Sequence, residues 1–293
     1  MRKSPSLIDL PITLSQGETI RVLESPLSDR RVLMDAILKG RYRKPYIGED
    51  PEARVLYFSP HCVQSRMRLD DPWALDLLYT RKAMSFLLFQ PEPRDILILG
   101  LGGGSIAKYC RRQLPYSRVD AVEVDANVIA LSEYFCVPPP SARFRIIHSD
   151  AADYVARADR AYDVVIADAF DGNGIAPSLR DSSFYEQVRS KLRAGGMLVA
   201  NLAGENSDRL GHLAMMARAF AGNVLLIPVV GEGNEIAVAF NTGVMNPSWK
   251  AIRKLADSLR QSLGLDFPHF AGRLEHSHKL GYTQRALSSS LSG

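Results

Sequence analysis

From Asp95 onward the chain alternates between short, wholly apolar runs and longer amphipathic ones, and this rhythm limits the folds open to it. "DILILG" leads through a glycine turn into "SIAKYCRRQL", "RVDAVEVD" into "ANVIALSEYF", and "RFRIIHSD" into "AADYVARA". "YDVVIADAF" then leads into "SSFYEQVRSKLRAGG", and "MLVANLAG" into "DRLGHLAMMARAFAG". Short apolar runs that alternate with helical ones are strands buried on both faces, which occur in parallel sheets covered by helices on each side. The glycines of "RAGG" are expected to stop the fourth helix. "NVLLIPVVG" and "NEIAVAFN", joined by a tight "EG" turn, read as a hairpin closing the sheet with one antiparallel strand. The expectation is an α/β, doubly wound, mostly parallel sheet.

The flanks are less regular. "ETIRVLES", "ARVLYFS" and "CVQSRMRL" read as antiparallel strands, while "DRRVLMDAILKGRYRKPY" fits either a short helix or a further strand. "DPWALDLLYTRKAMSFLLF" carries apolar residues at helical spacing, with Asp71-Pro72 as its start. "PSWKAIRKLADSLRQSL" is a C-terminal amphipathic helix, and the serine-rich end "ALSSSLSG" is expected to be disordered. These divisions suggest a β-rich domain over 1–70, a nucleoside-binding core over 71–245, and a helix with a flexible tail over 246–293.

Composition removes several classes of function. The 293 residues are 46% hydrophobic and 23% charged, the profile of a globular protein with one large domain and a smaller one. The net charge of +4 comes from scattered basic residues, so nucleic acid is not expected as a partner. The N-terminal segment has no secretory apolar region, and no apolar run approaches the ~20 residues that span a bilayer. The expected setting is the cytoplasm, away from membranes. Cys62, Cys110 and Cys136 are far apart and lack metal-ligand spacing, so they read as buried, reduced thiols with no metal site. His148 reads as a packed imidazole, and His276 and His278 as surface groups in a polar tail. "HLAMMARAF" reads as a core-facing helix stripe.

The chemistry is concentrated at the strand ends. Gly100, Gly102 and Gly104 form G-x-G-x-G between the first core strand and its helix, where backbone N–H groups approach a ligand; position 105 is serine, so the pattern is not the full dinucleotide fingerprint. Glu123 ends the second strand about twenty residues on, where a carboxylate accepts from both ribose hydroxyls. Asp150 ends the third strand and is placed to accept from an adenine amino group. Together these point to an adenosyl ligand, and the closing hairpin favours a sulfonium nucleoside over NAD. Asp168, at the end of an apolar fourth strand, fits a base that holds an amine and takes its proton. Asp171 lies three residues later, and either acid also suits capping of the loop backbone.

In order and spacing, "ILGLGGGS", "AVEVD", "HSDAADYV", "YDVVIADAFD" and "SSFYEQVRSKLRAGGMLV", with "VQSRM" and "LLYTRKAM" upstream, resemble the spermidine synthase (polyamine aminopropyltransferase) family. The resemblance covers roughly residues 55 to 240. It implies a Rossmann-like seven-stranded sheet of the S-adenosylmethionine-dependent methyltransferase type with a small N-terminal β-domain, assembled as a homodimer or homotetramer. It also implies that Glu123, Asp150 and Gln64 bind decarboxylated S-adenosylmethionine or methylthioadenosine. Asp168 would be the base, Asp171 would help hold the amine, and Tyr79 would line its channel. The reaction implied is aminopropyl transfer to an amine with no permanently bound cofactor.

Departures from the family pattern fall on the amine side. Gly103 stands where the family loop has an acid, Thr80 and Arg81 stand where it has His and Glu, and "PVVGEGNEIAVAF" replaces an aromatic-rich stretch. These departures make intact S-adenosylmethionine an alternative donor, with methyl transfer to a small amine or non-catalytic nucleoside binding as alternative functions. Arg81 then has two readings, a partner for the donor's carboxylate or a surface arginine.

Overall fold

A computed structural model describes residues 6–12, 18–60, 62–171, 174–204, 206–231, 233–241 and 247–281. It begins with β1 (Ser6–Leu10), β2 (Thr19–Glu24), helix α1 (Arg30–Leu38), β3 (Tyr46–Glu49), β4 (Ala53–Ser59) and β5 (Cys62–Arg68). The strands pair in sequence order as a five-stranded antiparallel sheet. The stretch left open between helix and strand forms helix α1, whose first turn the Asp29 side chain caps, and only its last residue, Tyr46, enters β3.

The core elements are α2 (Leu78–Ala83), β6 (Asp95–Leu99), α3 (Ser105–Gln113), β7 (Arg118–Glu123), α4 (Ala126–Leu131), β8 (Phe144–His148), α5 (Ala151–Arg157) and β9 (Tyr162–Ala167). There follow a small hairpin, β10 (Phe170–Asp171) and β11 (Gly174–Ile175), then α6 (Ser182–Ser190), β12 (Leu192–Leu202), α7 (Asn206–Ala219), β13 (Val224–Val229) and β14 (Asn234–Phe240). The seven-stranded sheet runs β13-β14-β12-β9-β6-β7-β8, parallel except for β14, which is antiparallel to β12 and to β13. The doubly wound sheet and its closing hairpin therefore follow the predicted pattern. Finally α8 (Trp249–Leu263) and α9 (Phe267–Leu280) bury Ile252, Ala256, Phe270 and Leu274 in the same apolar cluster as β6 and β14.

Several boundaries differ from the sequence reading, each for a local reason. The helix placed from Asp71-Pro72 begins only at Leu78, because residues 71–77 form a turn whose Leu75 and Asp76 carbonyls accept from the Arg81 guanidinium. Arg81 is thereby hydrogen-bonded to backbone, and it does not line the cavity that holds Glu123, Asp150 and Asp168. The glycines of "RAGG" do not stop a helix. α6 ends at Ser190, and Gly195 and Gly196 lie within β12, where a Cβ on Gly196 would come 3.0 Å from the Asp163 carbonyl. His276 and His278 belong to α9, not to a tail, and the His278 ring packs 5.6 Å from Trp249. His148 is exposed at the end of β8, its Nε2 2.9 Å from the Val124 carbonyl, rather than packed. Cys110 is buried as expected but Cys136 is exposed, and the Cys62 side chain lies outside the described residues. His212, Leu213 and Met216 on α7 are buried, as the core reading requires. The tail from residue 282 lies outside the described residues.

The two ends of the sheet treat carboxylates differently. At the amino ends of the strands, buried Asp95 pairs with Arg118 and Arg193, Asp120 with Arg145, and Asp163 with Arg193. These guanidinium bonds outweigh burial and hold the Asp95 carboxyl below the usual carboxylate range. At the carboxyl ends stand Glu123, Asp150 and Asp168, and no ion pair is formed by them among the described residues. No helix of the described residues is long and apolar enough to cross a membrane.

Candidate active site

The glycine turn exists because two strands must approach each other closely. Gly100 has φ +99°, and a Cβ there would lie 2.2 Å from the Asp168 carbonyl oxygen, so only glycine fits. Gly104, at φ +70°, is the N-cap of α3 and faces Val137, whose Cγ2 would be 2.4 Å from an added Cβ. Between them, the Leu101 and Gly102 N–H groups donate to Glu123 Oε2 at 3.0 and 3.4 Å. The Asp125 N–H donates to Glu123 Oε1 at 2.9 Å. The carboxylate at the tip of β7 thus ties the loop to the neighbouring strand.

A cavity of about 420 Å³ opens over this end of the sheet. Its walls include Gln64, Tyr79, Gly100, Gly102, Glu123, Asp150 and Asp168, so the structure gathers seven of the nine residues singled out from the sequence. Gly104 is not in the wall; it sits behind it, turning the chain into α3. Asp171 is part of β10, and its side chain lies outside the described residues.

Each wall acid is held differently. Asp150 is the N-cap of α5, with Oδ1 accepting from the Ala152 and Asp153 N–H groups at 2.9 and 3.1 Å, which leaves Oδ2 for a further donor. Asp168 follows the last paired residue of β9 and accepts at Oδ1 from Asn201 Nδ2 at 2.9 Å. Tyr79 also hydrogen-bonds it. Burial pushes the Asp168 carboxyl up to about 7, against the Asn201 and Tyr79 hydrogen bonds, which pull it down. A carboxyl that titrates near neutrality at the rim of an open α/β sheet is suited to exchanging a proton with a ligand.

Two features were not anticipated. Ser65 on β5 occupies the space beside Gly103, where a Cβ would come 2.6 Å from Ser65 Oγ and 3.0 Å from the Phe135 ring. The Ser65 hydroxyl lies 3.2 Å from that of Ser105, and both line the cavity. Position 103 is therefore filled from across the loop rather than empty. The other is Asn201, a buried amide near the end of the apolar run "MLVANL". A polar residue in such a run is the same signal that singled out Asp168. Asp76, in the turn before α2, forms an ion pair with Arg66.

The chain matches the family model described as spermine/spermidine synthase domain over residues 79–227. The polyamine aminopropyltransferase of Chromobacterium violaceum is 34% identical to it, over 80% of this chain and 90% of that protein. The polyamine aminopropyltransferase of Neisseria meningitidis serogroup A is 33% identical, over 82% of this chain and 92% of that protein. Among solved structures, that of a probable spermidine synthase from Corynebacterium glutamicum aligns with a TM-score of 0.60 and 25% identity, covering 78% of this chain and 91% of that one.

Proposed function

The chain belongs to the spermine/spermidine synthase family, and on that premise we propose that it is a transferase moving the aminopropyl group of decarboxylated S-adenosylmethionine to an amine, releasing methylthioadenosine. The adenosyl sulfonium is a co-substrate that leaves as product, so the reaction calls for no resident cofactor. Glu123, already fixed by three backbone N–H groups, takes the ribose hydroxyls. Asp150 takes the adenine amino group through Oδ2, and Gln64 completes the nucleoside contacts. Gly100 and Gly102 let the loop backbone reach the ligand, while Gly104 sets the turn into α3. Tyr79 lines the path of the amine, and Asp171 helps to hold it.

Asp168 receives the proton. An amine arrives largely as ammonium and attacks only with a free lone pair, so a carboxylate beside it is required. The nitrogen attacks the propyl carbon bonded to sulfur, the C–S bond breaks with its electrons passing to sulfur, and neutral methylthioadenosine leaves. The observation that carries this reading is Asp168 in the cavity wall, without a cationic partner among the described residues and titrating near neutrality. The test is methylthioadenosine release from decarboxylated S-adenosylmethionine with a panel of di- and polyamines. Release with at least one amine, lost in Asp168→Asn, is expected; no release with any amine overturns the reading.

One observation favours a second reading, methyl transfer from intact S-adenosylmethionine. Position 103 is glycine with Ser65 beside it, so no carboxylate stands there to repel that of an intact donor. S-adenosylhomocysteine in place of methylthioadenosine would identify it. The absence of a membrane-crossing helix among the described residues supports a cytoplasmic setting. The one-sided pairing of β1 among the described strands supports a homodimer or homotetramer built through the N-terminal sheet.

A further inference from the structure

Behind the cavity wall a chain of amides ends on the base. Asn234 Nδ2 donates to Asn201 Oδ1 at 2.9 Å, and Asn201 Nδ2 donates to Asp168 Oδ1 at 2.9 Å. Neither asparagine lines the cavity. The sheet register brings them together. Ala167 on β9 pairs with Ala200 on β12, so Asp168 and Asn201 are the next residues on adjacent parallel strands. Asn201 in turn pairs with Ile236 on β14, two residues from Asn234 at the start of that strand.

We propose that Asn234 is a positioning residue for the transfer reaction, fixing the orientation of the Asn201 amide so that its NH₂, and not its carbonyl, faces the carboxylate of Asp168. An amide side chain has one accepting and one donating end, and rotation by half a turn exchanges them. With the Asn201 carbonyl occupied by Asn234, only the NH₂ remains for Asp168. A donor in that position favours the ionised carboxylate, the form that accepts a proton from the amine. If the amide turned over, its carbonyl would face the carboxylate, and only a protonated Asp168 would tolerate it. The inference rests on Asp168 being the base of the transferase.

The surroundings leave this amide a large share of the control. Tyr79 on α2 and Asn201 on β12 are the groups that hydrogen-bond the carboxyl, and no charged side chain accounts for its displaced titration. Glu123 on β7 and Asp150 before α5 are the other carboxylates in the described wall. Beyond Asn234 stands half-buried Glu235 on β14, with Arg209 of α7 as the charge acting on it.

The test compares wild type with Asn234→Ala, Asn201→Ala, the double variant, and Asn234→Gln as the conservative replacement. Two readouts are taken: the pH dependence of kcat, and the carboxyl ¹³C titration of Asp168 in the unliganded protein. In Asn234→Ala and Asn201→Ala the Asp168 midpoint is expected to rise by about 0.5 unit or more. Below neutral pH kcat is expected to fall by about threefold or more, with the donor KM little changed. The double variant should match Asn201→Ala, because Asn234 acts only through Asn201. Asn234→Gln should recover part of the wild-type midpoint. An unchanged midpoint in Asn234→Ala, or additive losses in the double variant, overturns the proposal. Because the ¹³C titration needs no turnover, it decides this point even if methylthioadenosine release fails and the transferase reading falls.

Discussion

The Cα of Gly100 lies against the backbone of Asp168 so closely that a Cβ there would come 2.2 Å from the Asp168 carbonyl oxygen. The glycine loop and the strand end that carries Asp168 are therefore one packed unit. Any change that lifts the glycine turn also moves Asp168.

Gly100→Ala tests this coupling. The added methyl meets backbone, which cannot rotate away, at a φ of +99° that disfavours a side chain. A loss of about 3 kcal/mol of stability is expected, larger than strain alone would give. Denaturant unfolding measures it, and methylthioadenosine binding should weaken in the same variant. Wild-type stability would show that the two segments are not locked together.

Asp168→Asn separates catalysis from folding. If Asp168 is the base, as proposed, its loss is expected to lower kcat by about 10²–10⁴. The carboxyl is raised to about 7 in the folded state, so the native protein binds more protons than the unfolded chain between the usual carboxylate value and neutrality. Its contribution to stability therefore falls as pH rises through that window and stays unfavourable above it. The neutral amide removes the effect, so the variant should gain about 2 kcal/mol at pH 8 and little at pH 4. Thermal melts at both pH values check the sign. In wild type, kcat should fall as pH drops below about 7.

Glu123→Gln tests the proposed ribose contact. The amide keeps one acceptor for the loop N–H groups but loses the second, along with the charge. Methylthioadenosine affinity should drop by about 2 kcal/mol, near thirtyfold. Isothermal titration calorimetry measures this, with the kcat at saturating donor changing much less. Unaltered affinity would remove Glu123 from the ribose site.

Gly103→Asp and Ser65→Gly form a paired test of the space beside the loop. The single Gly103→Asp variant must push aside Ser65 and the Phe135 ring, at a cost of about 2 kcal/mol. Adding Ser65→Gly makes room and should restore part of that loss. In the double variant the new carboxylate should raise the preference for decarboxylated over intact S-adenosylmethionine, read by competitive binding. Equal stability of the single variant would show that Ser65 does not hold position 103.

Much of the fold was legible along the chain. The period change at Asp95 marked the parallel sheet, and the hairpin at 223–241 marked its antiparallel edge, because strands buried on both faces need unbroken apolar runs. Glycines and acids at strand ends likewise marked the cavity, since polar groups in such runs need a partner. The sequence by itself determined which chemistry was present and at which end of each strand it lay.

Only the tertiary structure decided which acids were available for a ligand. Asp163 and Asp168 lie five residues apart on one segment. Asp163 is held by Arg193 and by the N–H groups of Arg94 and Asp95, whereas Asp168 receives an amide and a phenol. That difference depends on which strands become neighbours, and pairing across 30 to 70 residues leaves no local trace in composition or period. The same holds for Ser65 beside Gly103 and Asn234 behind Asn201. Each is a contact between elements whose local patterns are independent, so their partners emerge only when the sheet is assembled.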